Sequence, residues 1–145
     1  METSERSKMG KRNRRKGGDY ERKISKKLAK LTSFRWSRVP YSGASYIPGD
    51  VISLDFAFPF VFELKNREDI DMGKVFRAPY TLRDLVSYEQ ILIFNNYGQD
   101  LVLLPSKMVS NPELPYAKLQ LVDIECTLIT LENFAKILME IKNEK

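Results

Sequence analysis

The sequence predicts a mixed α/β or α+β domain with a central mixed β-sheet flanked by helices. Three observations support this class: an apolar helical repeat near the N-terminus, a second one near the C-terminus, and several short apolar runs between them that end at proline, glycine or asparagine. At 145 residues the chain is long enough to bury a core. We expect one domain over residues 17–145 behind a basic flexible arm of residues 1–16.

The first predicted helix follows Gly17 and Gly18, with Asp19 as its N-cap. Its apolar side chains recur at intervals of four, four and three residues, which places them on one face; they are Tyr20, Ile24, Leu28 and Leu31. The lysines of this segment lie off that face, at Lys23, Lys26, Lys27 and Lys30. Glu21 stands beside the apolar face near the start of the helix.

Strands are predicted next. Phe34 and Trp36 begin a short strand, which leads into a loop rich in proline, glycine and serine. Residues 51–58 and 60–65 are apolar enough to form two further strands, and Pro59 predicts a turn between them.

The second half of the chain has a less regular pattern. The segment "TLRDLVSYE" favours a short helix, with Pro79 near its start. The segment "NNYGQ" is typical of a turn and predicts a hairpin of strands over 90–94 and 100–104, ended by Pro105. The run "LQLVDIECTLIT" predicts an edge strand, and residues 133–142 predict a closing helix.

The composition excludes several kinds of chemistry. The chain has no histidine and one cysteine, Cys126, which removes histidine-based triads, histidine zinc sites and an internal disulfide. Catalysis would therefore use carboxylates, lysine, hydroxyl groups or a metal held by oxygen ligands. Cys126 is expected to be a small core residue. No apolar run has the length of a membrane span and no export signal is present, so we expect a cytoplasmic protein.

Positive charge is concentrated at the N-terminus. Residues 1–38 hold 14 Lys or Arg and 4 Asp or Glu, a net +10, whereas the remainder holds 10 and 15, a net −5. This asymmetry indicates contact with a polyanion, although a basic tail that only keeps the chain in solution is the alternative. A flexible arm would contact phosphates rather than bases. The predicted DNA-binding residues are Lys11, Arg12, Arg14, Arg15, Lys16, Lys23, Lys27 and Arg38.

The stretch "PGDVISLDFAFPFVFELK" places two charges inside an apolar strand. Because side chains alternate along a strand, Glu63 and Lys65 share one face, about 7 Å apart by the ~3.3 Å rise per residue. If residues 51–58 and 60–65 pair as a hairpin, Asp50 arrives beside both. Two neighbouring carboxylates repel each other unless an oxygen-preferring cation such as Mg²⁺ lies between them. A nearby ammonium group can stabilise the negative charge that develops at a phosphate during hydrolysis.

Asp50 followed by Glu63-Leu64-Lys65 resembles the motif of the PD-(D/E)xK nucleases, with Gly49 in place of proline before the aspartate. With Glu21 in a basic helix and Ser42-Gly43 in the following loop, residues 17–66 are more narrowly similar to archaeal and phage-type Holliday junction resolvases.

This resemblance implies a restriction-endonuclease-like core and a homodimer that cuts four-way DNA junctions symmetrically. Asp50 and Glu63, helped by the main-chain carbonyl of Leu64, would ligate Mg²⁺, for which Mn²⁺ could substitute. Lys65 would help to activate water. Glu21 would act through a second ion or a water, and Ser42 would lie near the scissile phosphate. Such a protein would belong to a phage or an archaeon.

Each of these residues also has a plain structural interpretation. In that interpretation Glu21 does no more than complement the helix macrodipole, and Ser42-Gly43 is an ordinary turn. The Glu63–Lys65 pair is then a solvated face of the strand. Asp55 is a rival carboxylate, but its sequence parity is opposite to that of Asp50, so a regular strand would point it away.

Three further side chains are candidates for a functional role. Gln90 follows the possible short helix at a place where related nucleases often carry Gln or Glu. Phe34 and Trp36 could stack on exposed bases, although core packing is the favoured role.

Two other functions remain open from the sequence. One is a different PD-(D/E)xK DNA nuclease of repair or restriction type; the short chain favours recognition of DNA shape over sequence readout. The other is a DNA-binding protein without catalysis, which explains the basic arm but not the joint presence of Asp50, Glu63 and Lys65.

Overall fold

The computed structural model describes residues 18–39, 49–65, 86, 89–115 and 117–144. Within these ranges seven strands form one mixed sheet, accompanied by a helix over residues 18–32 (α1) and a helix over Leu131–Asn143 (α2). This confirms the predicted mixed α+β class. The predicted arm of residues 1–16 and most of the short helix predicted over 81–89 lie outside the described residues. None of the helices described is both long and apolar enough to cross a membrane.

The seven strands follow one another across the sheet with a single crossover in the second half. Their order is β1-β2-β3-β4-β5-β7-β6. Only β3 and β4 run parallel, and every other neighbouring pair is antiparallel. The strands are Trp36–Arg38 (β1), Val51–Ser53 (β2), Val61–Lys65 (β3), Gln90–Asn96 (β4), Gln99–Pro105 (β5), Ala117–Leu121 (β6) and Ile124–Thr130 (β7).

Helix α1 buries the face that its apolar spacing predicts, with one correction. Tyr20, Ile24 and Leu28 are buried, but Leu31 is 40% exposed and Thr32 takes the fourth position. A step of four keeps Thr32 in line with the preceding steps of four, whereas a step of three turns Leu31 aside. The Thr32 hydroxyl is tolerated there because it donates to the carbonyl of Leu28 (2.6 Å) and accepts the indole N–H of Trp36 (2.9 Å).

The assignment of Asp19 as the N-cap is wrong, because residue 18 is already helical. The Asp19 carboxylate instead lies within the first turn and pairs with the Arg22 guanidinium one turn later, at 2.9 Å.

The prediction of one strand over residues 51–58 is also wrong, since β2 ends at Ser53. The Ser53 hydroxyl accepts the N–H of Phe56 at 3.2 Å, which turns the chain out of the sheet. Asp55 then accepts from the N–H and the guanidinium of Arg35, both at 2.7 Å. The predicted antiparallel pairing is confirmed, with Val51 opposite Phe62, so residues 54–60 form a loop between β2 and β3.

The C-terminal half keeps the predicted hairpin and gains a second one. Strands β4 and β5 turn at Tyr97 and Gly98, as "NNYGQ" indicated, and Pro105 ends β5. The single edge strand predicted for residues 119–130 is instead a hairpin that turns at Val122 and Asp123, with β7 inside the sheet and β6 at its edge.

The sheet separates two apolar clusters because alternate side chains face opposite sides. On the first face, helices α1 and α2 pack on residues that include Phe62, Leu64, Ile91 and Ile93. The second face carries Leu92, Phe94, Leu103 and the fully buried Cys126, with Val86 packed among them. The prediction that Cys126 is a core residue is confirmed.

Trp36 packs against the first cluster, and the Phe34 ring lies beside it, with its centroid 6.3 Å from that of Phe58. Phe34 is buried, and the Trp36 ring meets the Phe62 ring edge-on at a centroid distance of 5.2 Å. Core packing is therefore their role in this fold, as favoured from the sequence.

Candidate active site

Asp50 is fixed between its two neighbouring strands at the start of β2. Its N–H donates to the carbonyl of Phe62 (2.8 Å), and its carbonyl accepts the N–H of Val39 (2.9 Å). Its carboxylate Oδ2 accepts the N–H of Leu64 at 2.8 Å. The antiparallel register, with Val51 opposite Phe62, brings Asp50 near Glu63, and its charge raises the pKa of Glu63; the predicted hairpin required this proximity.

Gly49 explains why this chain carries Gly-Asp rather than Pro-Asp. Its φ is +95°, in a region that proline cannot reach and that other L-residues enter only with strain. A Cβ at this position would lie 2.9 Å from Cγ1 of Val61 and 3.1 Å from the carbonyl oxygen of Phe62. Glycine thus lets the backbone before Asp50 approach β3 closely.

Glu63 and Lys65 extend from the same side of β3, as alternation predicted. The burial pattern of Val61–Lys65 alternates between half-buried and buried, and the Lys65 Nζ lies 3.7 Å from Glu63 Oε1. The Glu63 side chain is 24% exposed and that of Lys65 is 34% exposed, so both can be reached from solvent.

Glu21 joins this site from helix α1. Arg38 on β1 donates through Nε to Glu21 Oε2 at 3.0 Å, and the Glu21 side chain is 19% exposed. Gly18 leaves space for this contact, because a Cβ there would lie 3.0 Å from an Nη of Arg38. Arg38 was predicted to bind DNA; its guanidinium is partly exposed but is held by Glu21.

Asp50, Glu63 and Glu21 lie close enough together for the charge of one carboxylate to change the pKa of another. Burial raises the pKa of Glu63, the charges of Asp50 and Glu21 raise it further, and Lys65 opposes them. Burial likewise raises the pKa of Glu21, where Asp50 adds to the effect and Arg38 works against it. The ionised carboxylates are therefore unfavourable together in the protein alone, and a bound cation would remove that cost.

The donor set fits a hard divalent cation. Carboxylate and carbonyl oxygens are the ligands of Mg²⁺ and Mn²⁺, and Mg²⁺ usually takes one or two protein carboxylates and completes its shell with water and phosphate oxygens. In the parts of the chain described, no three acidic or cysteine side chains are grouped closely enough to hold a metal by themselves. Asp50 and Glu63 with the Leu64 carbonyl would thus leave open positions for water and substrate.

Other predicted functional residues lie elsewhere or outside the described residues. Ser42 is outside them, and so are the five basic residues Lys11, Arg12, Arg14, Arg15 and Lys16. Lys23 is exposed on α1. Asp55 is held by Arg35 at the far end of β2, away from Asp50. Gln90 is the first residue of β4 and pairs with Val61 in the parallel ladder.

Lys27, also predicted to bind DNA, has a side chain that is 42% exposed and belongs to a partly buried network that the sequence did not reveal. Its ammonium pairs with Asp100 on β5, whose carboxylate also accepts from Tyr20 (3.1 Å) and Asn95 (3.0 Å). Burial alone would raise the pKa of Asp100, but the hydrogen bonds and charge of Lys27, with Asn95, outweigh it and leave the pKa lowered. Burial and Asp100 raise the pKa of Tyr20.

This network ties α1, which carries Glu21, to the β4–β5 hairpin. The only sequence signal for it was a charged residue, Asp100, at the start of a strand otherwise predicted to be buried. The Arg38–Glu21 contact had no local signal, because 17 positions separate the two residues.

One family of known proteins matches the chain. The family, described as "Phage putative PDDEXK endonuclease", matches residues 12–142, which include the candidate site, helix α1 and all but the last residue of helix α2. No curated protein and no solved structure matches the chain. The match spans most of the chain, and the aspartate and the ExK sequence stand together in the fold. The chain therefore belongs to this phage PDDEXK endonuclease family.

Proposed function

We propose that the protein is a Mg²⁺-dependent endodeoxyribonuclease that favours four-way DNA junctions and cuts them as a homodimer. The observation that carries the nuclease proposal is the meeting of Asp50, Glu63 and Lys65 across the β2–β3 pair. Family membership supports it, because PD-(D/E)xK nucleases usually use divalent metal ions.

Each residue of the proposed site has its own role in phosphodiester hydrolysis. Asp50, Glu63 and the Leu64 carbonyl hold the metal, which when bound polarises a phosphoryl oxygen and lowers the pKa of a bound water. Lys65 donates hydrogen bonds to the attacking water and to the phosphoryl oxygens, on which negative charge develops. The hydrogen bond from the Leu64 N–H to Asp50 keeps the strand that carries Glu63 in place while substrate binds.

Glu21 and Arg38 have supporting roles in this proposal. The charge of Glu21 raises the pKa of Glu63. By the resemblance to the resolvases, Glu21 would act on the site through a water or a second ion. Arg38 keeps Glu21 in position and has enough exposed surface to contact a phosphate as well. By the resemblance to the resolvases, Ser42 would act next to the scissile phosphate.

The junction substrate rests on the resemblance of Glu21, Ser42-Gly43, Asp50 and Glu63–Lys65 to the resolvases. A two-fold dimer suits the two symmetry-related strands of a junction. In this proposal residues 17–145 form a single nuclease domain, and the basic arm of residues 1–16 adds phosphate contacts. A nuclease that acts on other DNA is the second candidate, because the family match supports nuclease chemistry without a junction.

Cleavage of a labelled four-way junction, beside a linear duplex of the same sequence, tests the proposal. We expect paired symmetric nicks in the junction with Mg²⁺, none with EDTA, and none with Glu63→Gln or Lys65→Ala. Glu125→Gln, which changes an exposed strand glutamate on β7, is the matched control and should cut normally.

Each outcome separates the candidates. Cutting of both DNAs would retain the nuclease and reject the junction preference. Cleavage by Glu63→Gln at the wild-type rate would refute the metal site. Binding without cutting, with Mn²⁺ also tried, would identify a DNA-binding protein without catalysis.

A further inference from the structure

Tyr97, at the tip of the β4–β5 hairpin, is the single fully exposed aromatic residue of those that the structure describes, at 93%. Its φ is +51° and that of Gly98 is +84°, which is the pattern of a type I′ hairpin turn. Such turns favour asparagine, aspartate or glycine at the first of these two positions, because a bulky side chain there strains the backbone. The Tyr97 ring therefore strains the hairpin, and its exposure leaves it little packing that could offset the strain.

The β4–β5 turn is held in a fixed position by hydrogen bonds beneath it. The Asn95 carboxamide accepts the N–H of Gly98 (3.1 Å) and donates to the carboxylate of Asp100 (3.0 Å). Asp100 in turn accepts from Tyr20 and pairs with Lys27, both of which belong to α1. A ring on a turn that is fixed in this way loses less conformational freedom on binding than a ring on a mobile loop.

The turn lies at the end of the sheet where β3 carries the candidate catalytic groups. Strands β3 and β4 run parallel, with Glu63 opposite Leu92 and Lys65 opposite Phe94. Tyr97 follows Leu92 by five residues, so it lies roughly 16 Å beyond the level of Glu63, by the ~3.3 Å rise per residue. About five base pairs of duplex cover this distance at ~3.4 Å each. DNA that is bound at the candidate site can therefore reach the turn.

The surroundings of Tyr97 fit DNA better than a protein partner. Its neighbours Asn96 and Gln99 are polar. The exposed Lys23 lies on α1 one turn before Lys27, which contacts the same hairpin. A stable protein interface buries about 800 Å² on each partner around an apolar core, and one ring among polar side chains does not supply such a core. A ring beside an ammonium group instead suits DNA, whose exposed bases stack on aromatic side chains and whose phosphates attract cations.

We propose that the Tyr97 ring stacks on a base that is exposed at the branch of the DNA substrate, within about five base pairs of the phosphate that is cut. The inference rests on the proposed nuclease function and adds a contact that recognises branched DNA. Within a continuous duplex each base is covered by its neighbours, whereas a base at a branch is accessible without the cost of unstacking. Because the contact is remote from Glu63, it adds affinity for the junction and leaves the cleavage rate of the bound complex unchanged.

Equilibrium binding of the full chain to a fluorescent four-way junction in EDTA tests this contact without cleavage. Tyr97→Asn removes the ring and supplies a residue that a type I′ turn favours. In urea unfolding it should be as stable as wild type or more stable, yet it should bind the junction about tenfold more weakly, the loss expected for one stacked base. Tyr97→Phe keeps the ring and should bind as wild type does. Both variants should bind a linear duplex with wild-type affinity.

Val122→Asn is the matched control. Val122 is also exposed (48%) and also has a positive φ (+57°), and it lies in the β6–β7 turn. Because Pro105, the last residue of β5, pairs with Cys126, this turn is at the opposite end of the sheet from Tyr97. Val122→Asn should relieve the same kind of backbone strain and bind the junction as tightly as wild type.

Failure of the contact and failure of the nuclease give different results. Wild-type junction affinity in Tyr97→Asn, in a chain that still cuts DNA with Mg²⁺, would overturn the contact alone. An equal loss of affinity in Tyr97→Phe, or for the linear duplex, would overturn stacking on a branch base. Weaker binding together with a change of oligomeric state in sedimentation would assign the ring to a contact between two copies and overturn the DNA contact. A wild type that neither binds nor cuts DNA would overturn both proposals.

Discussion

Replacement of Gly49 by alanine should disturb both the stability of the fold and the position of Asp50. A φ of +95° costs an L-residue about 1–3 kcal/mol. The new Cβ would also lie 2.9 Å from Val61 Cγ1 and 3.1 Å from the Phe62 carbonyl oxygen. Relief of such overpacking costs a further ~1–3 kcal/mol. Gly49→Ala should therefore lower the free energy of unfolding by about 2–6 kcal/mol.

The backbone shift that relieves this contact must pass to Asp50, the next residue. A displacement near 1 Å at a catalytic group reduces the rate by on the order of 100-fold. Urea unfolding and single-turnover cleavage at saturating Mg²⁺ would measure the two effects. The cleavage rate should be measured under conditions well below the unfolding midpoint of the variant, so that it reports on folded protein.

Gly98→Ala provides a matched control. Gly98 also has a positive φ, +84°, but a Cβ there would meet nothing within 4 Å, and it lies in the β4–β5 turn away from the site. The Gly98→Ala variant should lose only the free energy that a positive φ costs an L-residue, and it should cleave DNA at the wild-type rate. If Gly49→Ala were no less stable than Gly98→Ala and cut DNA at the wild-type rate, the argument from close approach would be refuted.

Three further predictions concern charge. Glu63→Gln should leave the metal-free protein as stable as wild type or more stable, because it removes a carboxylate whose pKa is raised by burial and by Asp50. The variant should nevertheless lose the rise in melting temperature that Mn²⁺ causes in wild type, and a retained rise would contradict the metal assignment. Asp100→Asn should cost about 1–3 kcal/mol in urea unfolding at pH 7, since hydrogen bonds to a charged group are lost. Because the pKa of Asp100 is lowered on folding, its contribution is present above the unfolded pKa and disappears as the pH falls through the folded value, so the difference between wild type and variant should shrink in acid; a constant difference would argue against this carboxylate. Deletion of residues 1–16 should weaken DNA binding and flatten its salt dependence, whereas an unchanged slope would show that the arm does not neutralise phosphates.

The local sequence pattern predicted the secondary structure correctly where that pattern alone determines the backbone conformation. The two faces of β3 follow from the alternation of side chains along a strand, which puts Val61, Glu63 and Lys65 on one face and the buried Phe62 and Leu64 on the other. The β4–β5 turn follows from the residues of "NNYGQ", which accept a tight bend. The end of β2 was not predictable in this way. It depends on the Ser53 hydroxyl and on a contact between Arg35 and Asp55, which are 20 residues apart.

The sequence by itself determined the chemistry that this protein can offer: oxygen donors and an ammonium, no histidine, and a basic N-terminal segment. It also placed Glu63 and Lys65 on one side of a strand, because that follows from backbone geometry alone. Only the tertiary structure decided what surrounds them. The link between Tyr20 and Asp100 spans 80 positions, and Tyr97 lies at the same end of the sheet as Lys65 because β3 and β4 pair in parallel. Such contacts depend on which strands become neighbours and in which register, and burial of the whole core selects that arrangement rather than any local pattern of residues.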